Sequence, residues 1–316
     1  MFSYDYLWLD FILEYTHLAK KPLSHYVPKF SNKYWADDSN FMSYFSGEYT
    51  SSIKKEPRGY KQWGRVRGLY SWDVEHALDR ELETKVAPIY GKLAEINELN
   101  QNEKLIWAQF ILSQLVRTPS FIKYEQKAKE LSGKDFISPK HDRVGCAHCL
   151  DLNYIKNRDW MILIAHDDDY FVRTDNPVLL TGFVEKEDTC LYYPLTPKIC
   201  FVACSMHSNW DAFEDNLNPT LVYNTTKGWA HMLNFYLAKC AGQSLILSPD
   251  HDGLIADNMF KQVLGIYPQP PFLIHKIENI EEYDSAYKSI LHIMSEADNY
   301  NYPEWNVADI HPIYQI

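Results

Sequence analysis

Between Lys54 and Arg67 the chain reads Lys-Lys-Glu-Pro-Arg-Gly-Tyr-Lys-Gln-Trp-Gly-Arg-Val-Arg, six cations against one anion. Lys54, Lys55, Arg58, Lys61, Arg65 and Arg67 are interleaved with Tyr60 and Trp63, while the whole chain carries a net charge of −11. Cations neutralise phosphates and aromatic faces stack on unpaired bases, so this run has what a nucleic-acid groove requires. An exposed loop after aromatic core helices accounts for the same residues equally well.

Four further positions carry side chains suited to chemistry. Thr174-Asp175-Asn176-Pro177 follows a predicted strand, and Pro177 forces Asn176 out of helical geometry. A carboxylate and a carboxamide on one fixed turn suit glycosidic-bond cleavage. The first stabilises oxocarbenium character or activates water, and the second positions the sugar. An Asx turn, with Asp175 bonded to nearby backbone, explains the same residues. His25 lies with Tyr26 in an extended segment between Pro22 and Pro28. It titrates near neutrality and suits acid–base work or a phosphate contact, and a structural histidine is the alternative. Tyr26 is taken with it as a substrate contact. Arg117 closes an apolar helix, where a guanidinium favours the dipole and its planar fork also suits phosphate. Asn234, within Met232-Leu233-Asn234-Phe235-Tyr236, is either a core bridge or a reader of a bound base.

Metal chemistry has weaker support. His141, Cys146, His148 and Cys149 are zinc-type donors, but a second Cys-x-x-Cys is absent. Asp167-Asp168-Asp169 is better explained as a turn than as a hard-cation site. No P-loop, dinucleotide fingerprint, nucleophile elbow or zincin helix is present, so no metal and no nucleotide or other cofactor is expected.

These groups need a scaffold, and the pattern predicts an α+β protein, one domain over 1–316. A mainly helical part, 1–135, carries the basic-aromatic loop and packs on a small, mostly antiparallel sheet in the strand-rich part, 136–316. Apolar spacing predicts helices over 4–20, 72–98 with a break near Pro88, 102–117, 120–131 and 227–241. Leu105, Ile106, Phe110, Leu112 and Val116 are the expected buried side of the third. Strands are expected at 159–165 and 170–173 around the Asp167–Asp169 turn, and at 191–195, 198–203 and 244–248. Residues 23–71 show no clear period and read as irregular. Asp5, Asp10 and Glu14 interrupt the first apolar stretch, so neither a signal peptide nor a membrane span is expected. Six cysteines without a repeating framework suit a cytoplasmic protein.

Five segments together are similar to a mainly bacterial family, domain of unknown function 4238. They are Ser24-His25-Tyr26-Val27-Pro28-Lys29-Phe30, Gln114-Leu115-Val116-Arg117-Thr118-Pro119, Phe171-Val172-Arg173-Thr174-Asp175-Asn176-Pro177-Val178 and Tyr193-Pro194-Leu195-Thr196-Pro197. Leu233-Asn234 with Ala238 and Ala241 completes the series. The chain departs from the pattern after Phe30, where Ser-Asn-Lys replaces an apolar continuation. The resemblance implies a phage-defence role, acting on phage DNA that carries hypermodified bases. Its most concrete form is a DNA glycosylase leaving an abasic site. Asp175, Asn176 and His25 would then be catalytic, with Arg117, Asn234 and Tyr26 binding substrate and the basic run gripping DNA. A metal-dependent nuclease or phosphodiesterase, or a non-catalytic sensor of phage nucleic acid or protein, remains the alternative.

Overall fold

The computed structural model describes residues 21–46, 54–69, 71–122, 152–180, 189–206 and 220–254. The expected helix over 4–20, most of that over 120–131, the His141–Cys149 cluster and the acidic C-terminal segment lie outside them.

The α+β class holds. Helices pack with antiparallel-rich sheets, and β10 (Leu221–Asn224) on β5 (Arg158–Ile164) is the one parallel pairing among the described strands. The five-stranded sheet runs β10-β5-β9-β8-β7, where β7 is Leu179–Leu180, β8 Leu191–Pro194 and β9 Ile199–Met206. The sequence places β5, β8 and β9 well, because each is an apolar run without helical spacing.

The stretch expected to be irregular is where the structure differs. It holds β1 (Leu23–His25), β2 (Phe41–Ser46), β3 (Lys54–Gly59) and β4 (Arg65–Arg67). Apart from Pro57, β3 contains no apolar side chain, so hydrophobic periodicity cannot find it. It forms the edge of a four-stranded sheet, order β3-β2-β11-β6, where Pro57 is tolerated because an edge strand need not donate on both sides. β11 (Ser244–Leu247) and β6 (Arg173–Thr174) come from the far half of the chain. The N-terminal part therefore supplies strands as well as helices. β5 and β6 also sit in different sheets, so the Asp167–Asp169 turn is a crossover and not the tip of a hairpin.

Ser71 caps α2 (Trp72–Ala77; α1 is the short turn Lys29–Asn32), its hydroxyl accepting from the Val74 amide at 3.3 Å. The expected break at Pro88 is not there. Pro88 lies inside α3 (Thr84–Ala94), and the irregularity comes earlier, as a π-helical segment at Leu78–Glu83. There the Thr84 amide reaches back five residues to the Asp79 carbonyl. α4 (Gln101–Val116) begins with a full capping box of Asn100 and Glu103. Its C-terminal half is buried on all sides, whereas Leu105, expected inside, is 38% exposed. Trp107 of α4 meets Tyr193 and Phe201 edge-on, with centroids 5.8 and 5.4 Å apart, which seats the helix on the five-stranded sheet.

Candidate functional site

β1 pairs antiparallel with β4, placing His25 opposite Arg65 and Leu23 opposite Arg67. Gly64 makes the ribbon possible: its φ is +73°, and a Cβ there would stand 2.7 Å from that of Val27. Its carbonyl accepts from the amides of both Tyr26 and Val27. The His25 amide donates to Glu75 Oε1 at 3.1 Å, and ring Nδ1 lies 3.4 Å from the same oxygen. Glu75 stands in the first turn of α2, and both side chains keep part of their surface in solvent. Glu75 Oε2 is buried with no hydrogen-bond partner.

The π-helical segment brings a second carboxylate to the same place. Glu83, with 13% of its side chain exposed, accepts from Arg117 Nη1 at 2.8 Å. Arg117 is the C-cap of α4 and fully buried. Its Nε donates to the Tyr26 carbonyl at 2.9 Å. The Gln114 carboxamide, turned so that its oxygen faces the guanidinium, accepts from Nη2 at 2.7 Å. Burial pushes the Glu83 carboxyl up; Arg117 opposes that rise, Glu75 adds to it, and His25 opposes it slightly. His25, Glu75, Glu83 and Arg117 are thus one electrostatic unit. Two expected residues, His25 and Arg117, meet here through the Tyr26 backbone. The Tyr26 ring itself is buried and does not face solvent.

Arg173 of β6 lies on the inner side of this unit. It is 0% exposed, with its guanidinium carbon 4.6 Å from the Tyr193 ring centroid, 5.8 Å from Tyr90 and 5.9 Å from Trp35. None of its three nitrogens has a hydrogen-bond partner among the described residues. The Tyr193 hydroxyl is also buried without one. Burial raises its pKa, and Arg173 first, Arg117 second and the Ser31 side chain third oppose that rise.

The expected catalytic turn is elsewhere in character. The Asp175 carboxylate accepts from the backbone amides of Gly242 at 2.6 Å, Gln243 at 2.7 Å and Ser244 at 3.2 Å. A Cβ on Gly242 would stand 3.0 Å from Asp175 Oδ2 and 2.7 Å from Ser120 Oγ, so only glycine fits this cradle. Desolvation pushes the carboxyl up to about 6 against those backbone donors. Asn176 donates Nδ2 to the Cys240 carbonyl at 2.8 Å. Asn234, on α5 (Trp229–Lys239), accepts from the Val172 amide at 2.8 Å and donates to the Tyr170 carbonyl at 2.6 Å. It bridges the core, with one bond to backbone at each end of its amide and the whole side chain buried.

The basic run divides by side. Trp63 is 2% exposed and donates its indole N–H to Ser244 Oγ at 3.2 Å, so it anchors the turn and offers no stacking face to solvent. Asn32 holds the same turn by donating to the Tyr60 and Trp63 carbonyls. Tyr60 is half-buried against the core. Outside, Arg58 stacks on Tyr44 at 3.8 Å and pairs with Glu56, Lys61 is exposed, and Arg67 is exposed and donates to the Lys21 carbonyl. Lys54 and Lys55 are placed by their backbone on β3.

The Asp167–Asp169 turn is held as structure: Lys227 pairs with Asp168 at 2.8 Å and the Gly228 amide donates to Asp169 at 2.6 Å. Among the described residues no three His, Cys, Asp or Glu side chains gather as a metal site, and no helix is long and apolar enough to cross a membrane. Glu75, Glu83, Arg173 and Tyr193 were missed as site residues. Arg173 carried a signal, a cation inside the run Phe171-Val172-Arg173; the carboxylates carried none.

Comparison with known proteins gives one family. The model for proteins of unknown function, DUF4238, matches residues 24–141 and 151–251, which include every residue of the cluster just described. No curated protein and no solved structure matches.

Proposed function

For a chain that belongs to the DUF4238 family of proteins of unknown function, we propose an enzyme that hydrolyses the N-glycosidic bond of a base in DNA. The observation that carries this reading is the register of β1 against β4, which sets Arg65 opposite His25. The cationic, partly exposed ribbon lies directly beside the only partly exposed acid–base unit described above. A groove that grips phosphates and a site with two carboxylates and an imidazole are the two halves a glycosylase needs.

The geometry supports one assignment of roles. Glu75 orients His25 through Nδ1, which leaves Nε2 to take a proton from water attacking the anomeric carbon. Glu83, held beside Arg117 as a carboxylate, faces the positive charge that develops on the sugar, and the departing base takes up the proton that His25 removes from water. Arg117 fixes Glu83 and the Tyr26 backbone together. In this reading Asp175 builds the scaffold. The substrate class to try first is phage DNA with hypermodified bases, since an enzyme selective for modification spares unmodified host DNA.

The test is incubation of the purified chain with modified and unmodified phage DNA, followed by mass analysis of what is released. Free base with an abasic strand supports the proposal. Nucleotides or 5′-phosphate ends would replace it with phosphodiester cleavage, and intact DNA that is bound but unchanged would replace it with a sensor.

A further inference from the structure

Two fully buried arginines, Arg117 and Arg173, both act on the Tyr193 phenol, and they are treated differently. Arg117 has acceptors for its edge: the Tyr26 carbonyl, Glu83 and the Gln114 amide. Arg173, equally buried, has three rings and the phenol of Tyr90 as a polar neighbour, and completes no hydrogen bond of good geometry among the described residues. Rings attract a guanidinium through its flat face. Its N–H donors lie in the plane of the group, and none of them completes a hydrogen bond where the guanidinium sits near Tyr193, Tyr90 and Trp35. A buried charge with unmet donors is strongly unfavourable, and proteins normally pair it or replace it with an apolar side chain. The charge itself is not needed to fill the space, since a methionine would do that.

We propose that Arg173, with the Tyr193 hydroxyl, is a binding site for the phosphate group of a ligand. The planar fork matches two phosphate oxygens, and the phenol offers a third donor. The surrounding rings exclude water, so a charge pair formed there is stronger than one at the surface. Glu83 is already held by Arg117, and Arg173 has no ion pair among the described residues. The assignment stands apart from base release: it concerns which ligand group the interior cation receives, whatever reaction follows.

The test is calorimetric titration of the full-length protein at constant ionic strength with inorganic phosphate, thymidine 5′-monophosphate and a short single-stranded oligonucleotide, each against chloride. Saturable binding of inorganic phosphate alone identifies a free-phosphate site. Tighter binding of the mononucleotide or the oligonucleotide identifies the phosphate of a nucleotide or of a DNA strand. Arg173→Met abolishes the response in each case, and it raises the thermal midpoint of the ligand-free protein because the unpaired charge is gone. If Arg173→Met does not fold, Arg173→Lys is read instead: a point charge without the fork binds phosphate about tenfold more weakly. No saturable response to any of the three probes overturns the proposal, as does unchanged affinity in Arg173→Met or Arg173→Lys. A protein that binds phosphate through Arg173 and releases no base keeps this inference while losing the one before it.

Discussion

Two polar regions in this molecule look alike in sequence and opposite in structure. At the turn, the Asp175 carboxylate is occupied by three backbone amides and the Asn176 side chain donates to the Cys240 carbonyl. The cluster of His25, Glu75, Glu83, Arg117 and Arg173 keeps some surface in solvent at one end and unmet donors at the other. A polar group whose bonds are all internal has finished its work at folding. One that is buried and unmet, or only partly covered, still has something to bind. That difference is why the chemistry is proposed for the cluster and not for the turn.

The comparison can be broken most forcefully at Arg117. Arg117→Met leaves the Glu83 carboxylate without its partner and frees the Tyr26 carbonyl. Removing one member of a buried pair costs about 3–5 kcal/mol, so we expect a loss of that order in denaturant unfolding. A loss below about 1 kcal/mol would mean that the pair is solvated like a surface bridge.

The turn offers the next largest effects, all on stability. Asp175→Asn turns an amide N–H₂ toward backbone donors, and unmet buried groups cost about 1–3 kcal/mol each. Activity per folded molecule should persist. The pH dependence has a defined sign. The Asp175 carboxyl rises from its ordinary 3.8 to about 6 in the folded protein, so between those values the folded state binds more protons than the unfolded state. Its contribution therefore favours folding below about pH 4 and is lost as pH rises through about 6. Thermal midpoints of wild type and Asp175→Asn across that window should converge toward high pH. Parallel curves would contradict the raised value. Asn234→Leu removes two backbone bonds from the core and should cost about 1–3 kcal/mol with no separate effect on chemistry.

The smallest effect belongs to the ribbon. Reversing Arg65 and Arg67 to Glu should weaken DNA binding and reduce the logarithmic salt slope by about 0.9 per lost phosphate contact on duplex DNA. Thermal stability should change little, because both side chains are at least partly exposed. An unchanged slope in a filter-binding or anisotropy titration removes the ribbon from the DNA path.

How much of this could be read beforehand depends on what carried the signal. α4, α5, β5, β8 and β9 announce themselves because burial gives each a clear apolar spacing. β3 and β4 are polar edge and ribbon strands, β3 paired with residues 8 to 18 positions back and β4 with residues 40 to 44 positions back, and no hydrophobic period records that. His25 and Arg117 were legible as chemistry-bearing types. Glu83 was not, since Glu75 and Glu83 are eight residues apart and would lie about 80° from each other around a regular helix. Only the π-helical segment between them turns Glu83 toward Arg117, and π segments often mark functional sites while leaving no composition of their own. Asp175 was legible as an acid on a fixed turn. The amides of Gly242–Ser244 that occupy it come from the other end of the strand-rich half.

The central claim is that the working carboxylate is in the cluster and not in the turn. Its most direct measurement is the rate of base release by Glu83→Gln and Asp175→Asn side by side, each normalised to folded protein. Groups aimed at transition-state charge are commonly worth about 3–4 kcal/mol, so Glu83→Gln should fall by roughly two to three powers of ten while Asp175→Asn stays near wild type. A fully active Glu83→Gln beside an inactive Asp175→Asn would return the chemistry to the turn and contradict the account.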